Sequence, residues 1–349
     1  MRLRAGFLGI AVAIAAAAAT ADGPDPVPTP LPNPPGVSAV RGRYLAEGVC
    51  ECFECHSPIR NESLVEPDPS KLGSGDILNK KEHHVAPNIT PDRETGAGNW
   101  TDAQLIRAIR EGIGHDGRRL SLVMPYWKLS ILTDDDVRSI VAYLRSIPPV
   151  RKALPHWTPT RDTEPPPVPP LPPAKNADVA TVLGRGEYLV HLAGCVHCHT
   201  ARPLNGTQWE RRKDLEFGGG RRFEATPTFD ELETDPGFAS PPATMPGPKS
   251  FTTSPNLTTD PSGIPYYDEN LFIQTIRTGS VAGVRPLTRA MLWFEFRKLT
   301  DDDLKAIFAY IRSRPPMKHR VSNSDPPTFC PVCGRYHGLG DSNEPPVRN

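Results

Sequence analysis

Between residues 41 and 313 much of the chain is written twice, and this repeat limits the possible folds more than any other feature. Arg41-Gly42-Arg43-Tyr44-Leu45 returns as Arg185-Gly186-Glu187-Tyr188-Leu189, 144 residues later, and Cys52-x-x-Cys55-His56 returns as Cys195-x-x-Cys198-His199 at 143. Pro87-Asn88-Ile89-Thr90 comes back as Pro255-Asn256-Leu257-Thr258 at 168, and Leu132-Thr133-Asp134-Asp135-Asp136 as Leu299-Thr300-Asp301-Asp302-Asp303 at 167. Stacked solenoid repeats have periods of about 20–50 residues, so this period marks a duplicated domain. The jump in offset places roughly 24 extra residues in the second copy, between His199 and Asn256. That insertion, about 204–250 and including Gly218-Gly219-Gly220, is expected to be a surface loop.

Each copy predicts three helices: one leading into the Cys-x-x-Cys-His run, one over 101–112 (268–279), and one over 133–146 (300–313). Thr133 and Thr300 are N-caps, and the acidic residues that follow suit the positive end of a helix dipole. Ile140, Val141 and Leu144, with counterparts Ile307, Phe308 and Ile311, are apolar at helical spacing. No run alternates as a half-buried strand does. The fold class expected is mainly α, with two tandem domains joined by a Pro-rich linker.

Proline is the commonest marker of boundaries here. The chain has 42 prolines, and they concentrate at Pro24–Pro35 and Pro159–Pro173, where they read as extended spacers. The N-terminus carries Arg2 and Arg4, an apolar run from Phe7 to Ala19, and Ala19-Thr20-Ala21, the form of a cleaved export signal. That run is too short to span a bilayer. The organisation expected is a signal at 1–21, a Pro-rich linker at 22–36, a first domain at 37–150, a linker at 151–176, a second domain at 177–316 and a tail at 317–349. The destination expected is the bacterial periplasm, with the membrane met only through a partner. Lys plus Arg and Asp plus Glu are equal at 40 each, so no overall field argues for nucleic acid.

In an exported chain cysteines default to disulfides, but Cys-x-x-Cys-His is also the attachment motif of c-type haem. Two thiols add to the porphyrin's two vinyl groups, and the adjacent His is left to ligate iron. A redox disulfide would want a βαβ setting, which is missing, and zinc would want further ligands repeated in both copies. Cys52, Cys55 and His56, and Cys195, Cys198 and His199, are therefore the candidate sites for two haems c. An electron-carrying haem needs a sixth ligand, usually His or Met. Met124 and Met291 are 167 residues apart, at one repeat position ahead of the Thr-Asp-Asp-Asp helix, which nominates them. Their rivals are Met245, His83, His84 and His115. Tyr126, Trp127, Trp293 and Phe294 are candidates to shield the haems.

Asn88-Ile89-Thr90-Pro91-Asp92, Trp100-Thr101, Arg107-Ala108-Ile109-Arg110-Glu111-Gly112 and Met124-Pro125-Tyr126, with both Cys-x-x-Cys-His motifs, resemble the cytochrome c subunits of bacterial membrane-bound alcohol and gluconate dehydrogenases. The resemblance covers about 41–149 and 184–316. It implies class I cytochrome c domains with His/Met haems, a dehydrogenase as electron donor and a respiratory acceptor. Such subunits typically carry three haems where this chain has two motifs, and Leu292 replaces the proline expected after the second Met.

Cys50 has no counterpart in the second copy. Cys330-Pro331-Val332-Cys333-Gly334 has Gly where a haem motif has His. It reads as a local pair, or as half of a zinc site completed by His337 and His319. The function expected is electron transfer without substrate chemistry of its own. The alternatives are a diheme peroxidase-like or thiosulfate dehydrogenase-like enzyme with one open axial position, and a structural or sensory haem module of an exported assembly.

Overall fold

The computed structural model describes residues 36–60, 66–80, 83–156, 171–201, 212–223, 252–283, 285–287, 290–321, 328–330 and 335–337. The expected signal, most of both Pro-rich segments, Met245 and Cys333 lie outside the described residues. The described chain is rich in helix, with only short strand pairs.

Its element order repeats as its text does. The first half runs α1 (Ala39–Tyr44), a π-helical turn (Leu45–Val49), α2 (Cys52–His56), the pair β1 (Asp76–Asn79) and β2 (His84–Ala86), α3 (Asp102–Glu111), α4 (Tyr126–Leu129) and α5 (Asp134–Ser146). The second runs α6 (Val182–Leu192), α7 (Cys195–Cys198), β3 (Arg222–Phe223) with β4 (Thr252–Thr253), α8 (Glu269–Thr278), β5 (Ser280–Val281) with β6 (Arg285–Pro286), α9 (Trp293–Phe296) and α10 (Asp301–Ser313). A last antiparallel pair, β7 (Thr328–Cys330) and β8 (Arg335–His337), follows.

The expected caps at Thr133 and Thr300 are made, each accepting from the amide of the third following Asp, Asp136 or Asp303; Thr101 adds a capping box with Gln104 that the sequence reading did not name. Gly112 and Gly279 close α3 and α8 in the left-handed region, each at φ +66°, and the ring of Tyr126 or Trp293 packs so closely on them that a Cβ would clash.

In each half the first helix packs on the last, α1 on α5 and α6 on α10, and the repeated glycine explains how. A Cβ on Gly42 would lie 1.8 Å from the Ser139 carbonyl oxygen, and one on Gly186 would lie 2.1 Å from that of Ala306. Only a bare Cα lets the two backbones approach this far.

The slip in offset from 144 to 143 also has a physical cause. The first half carries one more residue between its Tyr and its first haem-motif Cys, and α1 absorbs it by widening to a π turn in which the Cys50 amide donates to the Leu45 carbonyl. Cys50, the residue without a counterpart, ends that turn and is 3% exposed.

The cores match by exchange. In the first half Phe53 meets Tyr143 edge-on beside Gly73, whereas in the second Phe217 stands at the Gly73 position and meets Tyr310 edge-on, with Val196 at the Phe53 position. One aromatic fills the space in each half, from a different point of the chain. The Gly218-Gly219-Gly220 text is therefore not the surface loop that its composition suggests. It continues from the buried Phe217 against Pro255 and Asn256, as the 73–75 segment packs against 88–90, because the Gly219 amide is needed at the His199 carbonyl just as that of Gly75 is at His56. The extra residues fall after Phe223, where 224–251 lie outside the described residues.

The halves meet through a reciprocal contact. Arg41 donates two 2.9 Å bonds to Asp136, and Tyr188 of the second half donates to the same carboxylate at 2.8 Å. Arg185 donates to Asp303, and Tyr44 of the first half donates to that carboxylate in turn. Each Asp is buried, so its charge is held by an Arg of its own half and a Tyr of the other.

Candidate functional site

α2 and α7 put the two Cys-x-x-Cys-His runs on short helical turns, and the repeated Pro-Asn-x-Thr text holds the histidines. His56 Nδ1 lies 2.8 Å from the Pro87 carbonyl oxygen, and His199 Nδ1 lies 2.9 Å from that of Pro255. A carbonyl can only accept, so Nδ1 carries the proton and Nε2 keeps its lone pair for a metal. Both rings are buried, and burial pushes their pKa down despite the carbonyl, which keeps them neutral as ligands must be.

The next residues brace that carbonyl. Asn88 Oδ1 accepts from the amide and hydroxyl of Thr90 while its Nδ2 donates to the Val150 carbonyl at 2.7 Å. Asn256 does the same with Thr258 and the Met317 carbonyl, the latter at 2.8 Å. The sequence offers this text only as a repeat marker; its work is to tie the His-orienting loop to the chain that follows the last helix.

In the second half Cys195, Cys198, His199 and Met291 line one cleft, together with apolar side chains that include Leu257, Ile276, Phe296 and Leu304. The cleft is partly open to solvent and mostly apolar in its lining. In the first half Cys52 and Met124 pack half-buried against the core, as Cys195 and Met291 do. The five cysteines of the two halves form no disulfide. Burial pushes the Cys52, Cys55 and Cys195 thiols up to about 12, so with no group bound they are protonated. A flat apolar macrocycle tethered at two thiols and ligated by a neutral imidazole suits this donor set.

The rivals for the sixth position are placed elsewhere or differently. His115 is exposed and stacks on Trp100 at 4.3 Å, and His83 is exposed at φ +58°. His84 is buried in β2. His319, which the sequence offered only for a zinc site in the tail, is engaged at Nδ1 by the Gly218 carbonyl at 2.7 Å. Among the described residues no group of three or more His, Cys, Asp or Glu side chains is placed to hold a metal ion. Tyr126 and Trp293 cover Gly112 and Gly279, and Trp127 crosses to the other half, its ring 4.4 Å from that of His197 between the two cysteines of α7.

That crossing is general. α4 follows Met124 in the first half yet contacts α6 of the second, and α9 follows Met291 in the second half yet contacts the π turn of the first. Lys128 on α4 donates to Glu51 at 3.1 Å, and each side chain is 9% exposed. Burial opposes the ammonium, but Glu51 outweighs it and holds the Lys128 pKa above its ordinary value. Burial also raises the pKa of Glu51, and with Glu51 and Glu295 nearby it pushes Glu54 up to about 7. Glu51 itself sits in the left-handed region at φ +56°, where its counterpart is Gly194 at φ +75°. Apart from Glu51 with Glu54, none of these pairings is local in sequence. The repeated Arg, Tyr and third Asp were the available signal for the interface.

Among known proteins the chain is similar to the cytochrome subunit of fructose dehydrogenase of Gluconobacter japonicus, 29% identical over 304 residues. It is also similar to the cytochrome c subunit of the quinone alcohol dehydrogenase of Gluconacetobacter polyoxogenes, 28% identical over 304 residues. The matches cover 80% and 81% of this chain, which spans only 53% and 57% of those subunits. A diheme cytochrome c-type protein of Cereibacter sphaeroides is 31% identical over 169 residues, 42% of this chain and 52% of that protein. No protein-family model matches the chain. The relatives are cytochromes c, and those that match most of the chain are subunits of dehydrogenases.

Proposed function

We propose that this protein transfers electrons through two haems c, relaying them from a dehydrogenase partner to a respiratory acceptor in the periplasm. Each half is read as a class I cytochrome c domain, with the two joined by the Pro-rich segment and exported by the N-terminal signal. Cys52 and Cys55 would tether one haem and Cys195 and Cys198 the other. His56 with Met124, and His199 with Met291, would supply the axial ligands. When bound, the group supplies a one-electron iron couple, and thioether ligation raises its potential relative to bis-His.

The chain's own part is to hold that couple still and dry. Pro87 and Pro255 fix each imidazole by its Nδ1 proton, which keeps the ligand set the same in both oxidation states. Apolar walls keep water away, which lowers the reorganisation cost of electron transfer. The observation that carries the reading is the pair of imidazoles held at 2.8 and 2.9 Å by equivalent carbonyls, each next to a Cys-x-x-Cys pair that forms no disulfide.

The test is purification from a host with c-type haem maturation, followed by pyridine-haemochrome quantitation and low-temperature EPR. Two covalent haems per chain, both low-spin, are expected. One high-spin haem would turn the reading to an enzyme with an open site, and no covalent haem would end it.

A further inference from the structure

We propose that Trp127 is a positioning residue for the Met124 ligand and that it works through the opposite half, by resting on the turn that carries Cys195 and Cys198. The inference deepens the function proposed above and rests on it, since a sulfur ligand has a role only where a haem is attached.

A thioether is a neutral, soft ligand and a weak one for ferric iron, so its occupancy depends on how firmly the chain presents it. Met124 has little local structure to present it. The segment that follows is α4, four residues long, and a helix that short has no stability in isolation. Backbone bonds lock it to the ligand. The Tyr126 amide donates to the Met124 carbonyl at 2.8 Å, and the Lys128 and Leu129 amides donate to the Pro125 carbonyl at 3.0 and 3.1 Å. A shift of α4 is therefore a shift of Met124.

Two walls hold α4. The inner wall is the first half itself, where the buried Tyr126 packs on Gly112 and Leu129 enters the core. Successive helical residues point about 100° apart, and Trp127 turns from that wall to the second half. Its ring centre lies 4.4 Å from that of His197, with the planes tilted by 46°. His197 is buried and stands between Cys195 and Cys198. Lys128 extends the contact, its Cδ and Nζ 3.7 and 3.8 Å from where a Cβ on Gly194 would stand, and Gly194 directly precedes Cys195. The outer wall of the first ligand loop is thus the second attachment motif.

The mirror contact is built differently. Phe294 stands at the Trp127 position, and α9 meets the π turn of the first half, where Lys298 just beyond it donates to the Glu47 carbonyl at 3.1 Å beside Gly48. An aromatic pair secures α4, whereas a lysine secures α9. It is the first sulfur ligand whose hold depends on a ring in the opposite motif.

The test uses the holoprotein in a Met291→His background, so that the far-red absorption band of sulfur-ligated ferric haem reports Met124 alone. Haem is counted first, and imidazole is then titrated in to displace the sulfur. Trp127→Ala and His197→Ala should each raise the apparent affinity for imidazole at this haem by about tenfold, the worth of one buried aromatic contact. The double variant should raise it no further, because both changes break the same contact. Trp127→Phe keeps a ring against His197 and should titrate as its parent does.

An unchanged titration in His197→Ala would overturn the inference, since the inner wall would then suffice, and this variant decides alone if Trp127→Ala does not fold. Additive effects in the double variant, or a Phe variant that titrates like the Ala variant, would overturn it too. Fewer than two haems, or no sulfur band, in the unaltered protein would instead defeat the function it rests on.

Discussion

The two halves have the same helices, the same capped ends and the same imidazole-to-carbonyl bond, yet they differ wherever a charge stands near a cysteine. Gly42 and Gly186, Asp136 and Asp303, and Pro87 and Pro255 are repeated because close helix contact, interface closure and ligand orientation each admit few solutions. Glu51 against Gly194, Lys128 against Glu295 and Ile77 against Arg221 are not repeated. The lesson is that geometry was kept in duplicate while the electrostatic setting of each motif diverged.

The most drastic way to break the equivalence is to remove one attachment at a time. Cys52→Ala/Cys55→Ala and Cys195→Ala/Cys198→Ala should each halve the covalent haem per chain, read by haemochrome absorbance and intact mass. Equal loss from both would show the motifs act independently in maturation.

Next in size are the interface carboxylates. Asp303→Ala and Asp136→Ala should each cost about 1–3 kcal/mol, since each removes a buried carboxylate that ties a partly exposed Arg of its own half to a Tyr of the other. The larger loss is expected at Asp303, 1% exposed against 7% for Asp136. Denaturant titration of the two variants side by side checks the ranking.

Making the first half like the second at one residue sharpens the comparison. Glu51→Gly removes a left-handed strain of about 1–2 kcal/mol but leaves Lys128 buried without its carboxylate, a cost of about 3–5 kcal/mol. A net loss of about 2–3 kcal/mol is expected, recovered when Lys128→Met is added. A stabilised Glu51→Gly single variant would mean the ion pair contributes nothing.

The smallest effect concerns alkali. Burial, with the Asp303 hydrogen bond, pushes Tyr44 up to about 12, whereas a free tyrosine ionises near ~10. The stability Tyr44 contributes is therefore intact below about pH 10 and is lost as pH rises towards 12. Tyr44→Phe should flatten part of the stability profile followed by circular dichroism, leaving the losses due to Tyr143, Tyr188 and Tyr310, each also raised mainly by burial.

Much of this was legible beforehand. Helix ends came from Thr133 and Thr300, and the helix-rich class from apolar spacing, because caps and periodicity are local signals. The candidate ligand positions came from the repeat, which compares distant residues without knowing their contacts. The interface left only its repeated Arg, Tyr and third Asp as a trace, because Tyr44 and Asp303 are 259 residues apart and no periodicity joins them. The π turn left a trace, the one-residue slip in offset, but a slip alone does not say whether a loop or a helix absorbs it. Gly218-Gly219-Gly220 misled because glycine in a list reads as flexibility, whereas here it is a close approach of backbone to Pro255.

The reciprocal contact also bears on what the connecting chain is for. With α4 and α9 each lodged against the opposite half, and two aspartates each bound from both sides, the halves are joined whether or not they are covalently continuous. These contacts do not depend on the chain between residues 156 and 171 being whole. A single proteolytic cut there should leave a heterodimer that still elutes as one particle, and dilution or alkali, not the cut, should separate it.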